Sequence, residues 1–343
     1  MALRAATGEV VWAFQTTHHD VWDYDLPAQP TLATVTWKGV TAPAVIQPTK
    51  QGLLFTLNRE TGQPLIPVVE RPVPRSGAIG DQLSPTQPFP VAPPPLAPQR
   101  ITTAEAFGIT PWERKACAAL MRGARNDGIY TPPSTQGTIV YPFTGGGSNW
   151  GGIAFDPGLG LAIVNTSSAL HKVTLIPRRA YAAEKAARPD LEISPNAGAA
   201  YGMKRELLRS PLGLPCNPPP WGQLAAVDLH DGRILWQVPL GTTHDLVPGS
   251  QFLLRRTGTP NFGGPIVTAG GLVFIGAAMD NYLRAFETRT GKEVWKGRLP
   301  AGGQATPMTY VWQGRQYVVI AAGGHAKSRT KAGDQLIAFA LPK

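Results

Sequence analysis

Apolar and polar positions along the chain follow a recurring block. A short apolar strand leads into a polar turn ending in Gly, and a second strand reaches a large apolar residue four positions after that Gly. Four copies keep this register: ALRAATGEVVW (Gly8, Trp12), LFTLNRETGQPLI (Gly62, Ile66), LAAVDLHDGRILW (Gly232, Trp236) and LRAFETRTGKEVW (Gly291, Trp295). Leu3, Leu57, Val227 and Phe286 each stand nine residues before the terminal apolar position, so the match extends upstream.

Gly8 and Gly62 are 54 residues apart and Gly232 and Gly291 are 59 apart. The 170 residues from Gly62 to Gly232 then amount to about three periods of 57, which predicts an enlarged or degenerate unit whose hairpin is GGIAFDPGLGLAIV, Gly151 to Val164. Repeats of this length with Trp-ended strands and Asp-Gly or Thr-Gly turns predict four-stranded β-propeller blades. A β-sandwich leaves the repeated Trp without a role. The predicted fold is all-β, a partial β-propeller ring of about five blades with short helical insertions, occupying 1–343 as one domain.

Both ends carry the repeat. Only Met1 and Ala2 precede Leu3 in the first copy, whereas later copies enter the strand through DNYLRAF and WGQLAAV, so the expectation is that the first blade lacks its upstream strands. DQLIAFALPK matches DNYLRAFETRT and ends the chain on a blade strand, the way closed propellers pair one terminus with the other. Between Pro64 and Pro98 lie 11 prolines, which cannot donate to a sheet ladder and predict an irregular excursion over 64–98. Thr110, Pro111 and Glu113 form a capping box with proline at the first helical position, predicting a short helix over about 111–122. RRAYAAEKAAR, Arg178 to Arg188, predicts a second helix stopped by Pro189.

Composition narrows the class. With 38 Gly, 35 Pro and only 16% charged residues the chain is neither a helical bundle nor a coiled coil, and its 43% apolar residues suffice for a sizeable core. No run of about 18 apolar residues is present, and MALRAATGEVVWAF lacks the basic n-region and apolar core of a signal peptide. Cys117 and Cys216 are far apart without CxxC spacing, which argues against zinc and leaves a disulfide and free thiols both open. The net charge of +10 is scattered and accompanied by no nucleic-acid-reading motif, so it predicts a solvated basic surface, weakly attracted to anionic membranes, and no nucleic acid. The absence of GxGxxG after a strand, a P-loop, GxSxG and HExxH argues against nicotinamide, nucleotide triphosphate, serine hydrolase and zincin chemistry.

Candidate chemistry concentrates in HHDVWDYDLPAQP, His18 to Pro30, with two imidazoles and three carboxylates directly after a blade strand. In an extended segment Trp22 and Tyr24 pack one way, and Asp23 and Asp25 point the other. Two carboxylates on one side suit a hard divalent cation or a base beside one; the alternative is turn-capping aspartates paired with the histidines. Lys50 precedes a repeat strand and could bring a positive charge to the same mouth. GSNWGG (Trp150), RLPAGGQATPMTY and AAGGHAKSRTKAGDQ (His325) carry paired glycines that let backbone approach a flat ligand, or simply form loose turns.

HHDVWDYDLPAQP, GDQLSPTQPF, GIYTPPSTQGTIVYP, NWGGIAFDP, LRAF with GKEVWKGRLPAGGQATPMTY, and VVIAAGGH closely resemble the C-terminal half of the membrane-type quinoprotein dehydrogenases, from about Ala2 to Pro342. These pyrroloquinoline quinone (PQQ) enzymes oxidise glucose, quinate and related polyols. The resemblance implies an eight-bladed propeller and assigns Asp23 as general base. It places Lys50 on the PQQ quinone oxygens, Trp150 against the ring, and Asn165, Asp280 and His325 around the cofactor. It also implies Ca or Mg beside Asp23 and Asp25, a sugar or polyol substrate, ubiquinone as electron acceptor, and a site on the periplasmic face of the inner membrane. A missing N-terminal half would supply further blades, metal ligands and the floor beneath PQQ. Ala326 and the added charge in GGHAKSRTKAGD depart from the family pattern and leave substrate preference open. The competing reading is an inactive truncated propeller fragment acting as a binding or assembly module.

Overall fold

The computed structural model describes residues 1–77, 80–246, 254 and 256–342. Strands β1 (Ala2–Leu3) and β2 (Val10–Trp12) form a two-stranded sheet. They are followed by an antiparallel meander of β3 (Thr31–Trp37), β4 (Val40–Pro48) and β5 (Leu54–Asn58), extended by a bridge from Leu57 to Pro64. The proline-rich stretch contains a regular element: β6 (Val68–Pro72) pairs with β7 (Thr86–Pro90) over five residues each. A two-stranded hairpin has both outer edges free, so its prolines need not break a ladder.

Helix α1 (Pro111–Met121) starts with Thr110 Oγ1 accepting from the Glu113 amide at 3.2 Å and buries Glu113, Cys117 and Met121, one stripe at four-residue spacing. It is followed by β8 (Thr138–Val140), β9 (Ile153–Asp156), β10 (Leu161–Ser167) and β11 (His171–Pro177). After the seven-residue α2 (Tyr181–Ala187) come β12 (Glu192–Ser194), β13 (Tyr201–Leu207), β14 (Gly222–Asp228) and β15 (Arg233–Pro239). The chain ends with β16 (Ile266–Thr268), β17 (Leu272–Ile275), β18 (Tyr282–Glu287), β19 (Glu293–Arg298), β20 (Met308–Trp312), β21 (Arg315–Ala322) and β22 (Gln335–Phe339).

These strands build a partial ring of sheets, none closed on itself. The blades are β1-β2, β3-β4-β5, β15-β14-β10-β9, β16-β17-β18-β19 and β20-β21-β22. The 170-residue gap in the repeat does not hold an extra blade. The Gly151 to Val164 hairpin pairs directly with the LAAVDLHDGRILW hairpin, because β10 and β14 run in unbroken register from Leu161 opposite Asp228 to Ser167 opposite Gly222. What fills the gap is insertion: residues 168–221 leave β10 and return to β14, and β11, β13 and β12 join β8 in an added four-stranded sheet.

The core lies between neighbouring blades. All seven residues of β10 are buried. Ala162 and Val164 face Ile46, Leu54 and Val35 of the preceding blade, while Leu161 and Ile163 face Val273, Ile275 and Phe286 of the following one. A strand covered on both faces has no polar side to spare, which is why it reads as an apolar run. The repeated Trp and Gly also act between blades. The Trp12 indole donates to Arg59 O at 3.0 Å and lies on Gly62, where φ is +73° and a Cβ would come within 2.6 Å of the ring. Trp236 of β15 repeats this, donating to Thr288 O at 2.9 Å and covering Gly291. Trp12 and Trp236 therefore dock on the Gly of a later block, whereas Trp295 packs edge-on against Phe339 at 5.0 Å.

Cys117 of α1 and Cys216 are joined in a disulfide that closes 99 residues of chain, and both are fully buried in a cluster with Ile101, Met121, Tyr141 and Leu170.

Candidate functional site

The His18 to Asp25 segment leaves β2 as a turn. The Asp20 carboxylate accepts from the Trp22 amide at 2.8 Å and the Tyr24 amide at 2.7 Å. This curls the backbone so that Asp23 takes φ +67°, a conformation Asp tolerates better than most residues. Trp22 and Tyr24 are buried against Tyr130, with ring centroids 5.2 and 6.0 Å away, and the Trp22 indole donates to Thr131 O at 2.8 Å. Asp23 and Asp25 do lie on the opposite side, through a turn and not through strand alternation. Burial raises the Asp20 pKa, partly offset by its two backbone donors and reinforced by the charges of Asp23 and Asp25. His18 pairs with Glu70 at 2.9 Å and His19 with Asp81 at 2.6 Å, tying the segment to the β6-β7 hairpin.

Lys50, in the turn between β4 and β5, is only 6% exposed. Its Nζ lies 2.5 Å from Asp25 Oδ1, 2.9 Å from the backbone oxygen of Asp23 and 3.5 Å from Asp23 Oδ1. Burial alone would raise the Asp25 pKa, but the Lys50 hydrogen bond and charge outweigh it and hold the carboxyl below its usual range. The other Asp23 oxygen, Oδ2, receives Arg205 Nη1 at 2.9 Å. Arg205 comes from β13 of the added sheet, donates to Thr144 Oγ1 at 2.8 Å and also pairs with Glu192. Burial alone would lower the Arg205 pKa; its two carboxylate partners raise it overall. Thr144 Oγ1 is 3.3 Å from His171 Nδ1, and burial together with the charges of Arg205 and Arg209 lowers the His171 pKa to about 3.

These groups line a cavity of about 1020 Å³ whose other wall is aromatic. Phe262 stacks on His325 with centroids 4.9 Å apart and planes at 12°, and Trp150, 58% exposed, lies 6.0 Å from Phe262 and 6.2 Å from His325. Of the sequence-predicted residues, the structure thus brings Asp23, Asp25, Lys50, Trp150 and His325 to one cavity. Asn165 and Asp280 stand behind its wall. Asn165 Nδ2 donates to Asn261 Oδ1 at 2.6 Å and Gly263 O at 3.0 Å, which fixes the Asn261 side chain and the Gly263 backbone on either side of Phe262. Asp280, 1% exposed, pairs with Arg284 at 2.5 Å and accepts from the Thr242 amide at 2.7 Å. The paired glycine at Gly151 serves chain packing: a Cβ there would sit 1.8 Å from the Gly263 carbonyl carbon.

Sequence reasoning passed over Arg205, Thr144, His171 and Phe262. Arg205 lies in an insertion outside the repeat, 182 residues from Asp23, and no local motif marks it.

A planar quinone carrying carboxylates fits this lining. The open indole face of Trp150 offers a stacking surface, and Lys50 and Arg205 supply positive charge beside it. The metal fits less well. Asp23 and Asp25 are each already engaged by a cation, two carboxylates fall short of the six to eight oxygens that Ca²⁺ takes, and no group of three or more metal-binding side chains gathers among the described residues.

A family model described as PQQ, glucose/ethanol/alcohol dehydrogenase, beta-propeller domain, matches residues 1–318. The quinoprotein glucose dehydrogenase of Escherichia coli (strain K12) is 43% identical over 351 residues, taking in 100% of this chain and 44% of that protein. The quinate/shikimate dehydrogenase (quinone) of Acinetobacter baylyi is 41% identical over 355 residues with the same coverage. The glycerol dehydrogenase large subunit of Gluconobacter oxydans is 42% identical over 361 residues, covering 100% of this chain and 48% of that one. The chain thus spans a little under half the length of these curated relatives. In fold, a europium-containing methanol dehydrogenase superposes with a TM-score of 0.60 at 24% identity, over 94% of this chain and 44% of that one. With blades stacked through Trp-on-Gly contacts and a family model covering residues 1–318, the chain belongs to the PQQ-dependent glucose/ethanol/alcohol dehydrogenase β-propeller family.

Proposed function

We propose that this chain forms the substrate-facing part of a PQQ-dependent dehydrogenase that oxidises a sugar or polyol hydroxyl. The observation that carries the reading is the Asp23 carboxylate held between Lys50 and Arg205 on the wall of the aromatic-lined cavity. Bound PQQ would supply the two-electron oxidant, an ortho-quinone with hydride-accepting chemistry at the carbinol carbon. Asp23 takes the hydroxyl proton, forming an O–H bond as the substrate O–H bond breaks. Arg205 fixes one carboxylate oxygen by a charge-assisted hydrogen bond and so aims the other into the cavity. Lys50 would place its charge beside the quinone oxygens and Trp150 would cover the ring face, while His325, stacked on Phe262, shields the site from water. Asn165 and Asp280 act at one remove by holding the Asn261 side chain, the Gly263 backbone and Thr242. No step is assigned to a metal ion.

Further blades in the longer relatives would cover the last sheet, where Met308, Val311, Trp312 and Leu336 are 56%, 69%, 58% and 72% exposed. The buried disulfide favours an oxidising compartment such as the periplasm, and a membrane quinone is the acceptor suited to an enzyme there. A non-catalytic assembly module is the second reading, and the same exposed sheet favours it.

Purified chain titrated with PQQ, monitoring tryptophan fluorescence, followed by dye reduction with glucose and with quinate, tests the reading. Quenching and turnover support it. No bound PQQ and no turnover, with or without the N-terminal part of a longer relative supplied, leaves the assembly module. Asp23→Asn keeps PQQ binding and abolishes turnover; an active variant removes Asp23 as the base.

A further inference from the structure

His325 belongs to a short loop that closes on itself. It caps the single 3-10 turn Ala326–Ser328, and its own amide donates to Thr330 Oγ1 at 2.8 Å. Thr330 Oγ1 in turn donates to Gln304 Oε1 at 2.9 Å, and Gln304 Nε2 donates to Ala278 O, so the loop is pinned to the strand connection at Ala278. Within the loop, Ser328 is only 8% exposed and meets the imidazole twice. Its amide donates to His325 Nδ1 at 3.3 Å, and its hydroxyl oxygen lies 3.1 Å from the same nitrogen.

An amide N–H donates and cannot accept, so Nδ1 has to present a lone pair, and the hydroxyl beside it is free to donate as well. Burial, reinforced by the charge of Lys327, holds the His325 pKa below its ordinary value, which keeps the ring neutral near pH 7. A neutral imidazole has one proton, and with Nδ1 accepting it sits on Nε2. Nε2 has no partner among the described residues, although the ring lines the cavity beside Trp150. The stacking of His325 on Phe262 at 4.9 Å fixes the plane of the ring, and Ser328 fixes which way round it lies in that plane. We propose that Ser328 is a positioning residue that locks His325 in the tautomer with its proton on Nε2, so that the ring offers a hydrogen-bond donor to an oxygen of the cavity's occupant. That this oxygen is a quinone carbonyl or a sugar hydroxyl rests on the proposed function; the tautomer stands on the two Ser328 contacts alone.

Nitrogen-15 NMR of the full chain labelled at histidine reads the protonation of each ring nitrogen directly, with His325→Gln identifying the His325 signals. The expected wild-type spectrum at neutral pH shows a protonated Nε2 and a hydrogen-bonded, unprotonated Nδ1. Ser328→Ala keeps only the longer amide contact and should move the Nδ1 signal toward that of a free imidazole nitrogen, while Ser328→Thr, which retains a hydroxyl, should restore it. A wild-type proton on Nδ1, or an Nδ1 signal unmoved in Ser328→Ala, overturns the lock. The donor role is read from Nε2. Its signal should shift when PQQ is added if the acceptor is a quinone oxygen, or when glucose is added to PQQ-loaded Asp23→Asn if the acceptor is a substrate hydroxyl; no shift in either, with PQQ bound, removes the donor. In dye reduction, Ser328→Ala should lower kcat/KM about threefold or more and Ser328→Thr should recover it. Failure of PQQ to bind at all counts against the proposed function, while the Nδ1 signal of the chain without PQQ still decides the tautomer.

Discussion

Arg205 Nη1 meets Asp23 Oδ2 at 2.9 Å across 182 residues of sequence, and neither residue belongs to the same sheet. The added sheet delivers the arginine and a turn after β2 delivers the carboxylate. Arg205 also reaches Thr144 and Glu192, so its position is fixed by three acceptors.

Loss of that fixation should cost orientation before it costs binding. Arg205→Ala is expected to lower dye-reduction turnover by about an order of magnitude or more, with PQQ affinity little changed. Arg205→Lys, which can reach Asp23 but cannot fork to three acceptors, should fall between. Steady-state kinetics with kcat and KM separated check this; an unchanged kcat in Arg205→Ala would dismiss the positioning role.

The disulfide predicts a stability effect independent of the site. Cys117→Ala/Cys216→Ala opens a constraint across 99 residues and should destabilise the chain by about 2–5 kcal/mol. Thermal melts with and without reductant should show the wild type falling toward the double variant and the variant indifferent to reductant.

His171 gives a pH dependence. Its folded pKa, about 3, lies below the ordinary 6.5, so the unfolded chain takes up a proton in that window and the folded chain does not. Its contribution to stability is therefore present above about 6.5 and lost as pH falls toward 3. Asp25, whose carboxyl is held low, adds a loss in the same direction at the acid end. Melting temperatures from pH 7 down to 4 should drop less steeply in His171→Gln than in the wild type.

Two glycines of the same block position should respond differently to alanine. Both have positive φ, +74° at Gly8 and +68° at Gly291, so alanine at either position takes on left-handed strain of about 1 kcal/mol. Nothing stands within 4 Å of a Cβ at Gly8, but one at Gly291 would lie 2.5 Å from the Trp236 ring. Gly291→Ala should therefore cost about 1–3 kcal/mol more than Gly8→Ala in a denaturant titration.

The blades were legible because their strands repeat a chemical rule: apolar residues that must alternate between two neighbouring sheets, and a Trp that needs a bare glycine to lie on. Asp23 and Lys50 were legible as neighbours in short motifs beside repeat strands. The blade count inside the long gap was misread, since spacing alone cannot distinguish a missing blade from a blade interrupted at one of its connections. Asn165 and Asp280 were expected around the cofactor; Asn165 Nδ2 is held by Asn261 and Gly263 while its buried Oδ1 has no partner, and Asp280 is held by Arg284, four residues on, and by Thr242. Arg205, His171 and Arg209 were invisible for a related reason: they lie on insertion residues whose pattern follows no blade.

The seamless pairing of β10 with β14 makes residues 168–221 a graft on a complete hairpin. His171, Glu192, Arg205 and Arg209 all ride on that graft, whereas Asp23 and Lys50 belong to the stock. A change of cargo there can rewrite the charge pattern of the cavity, and with it the choice of substrate, while the blade that carries the graft keeps every one of its ladder bonds.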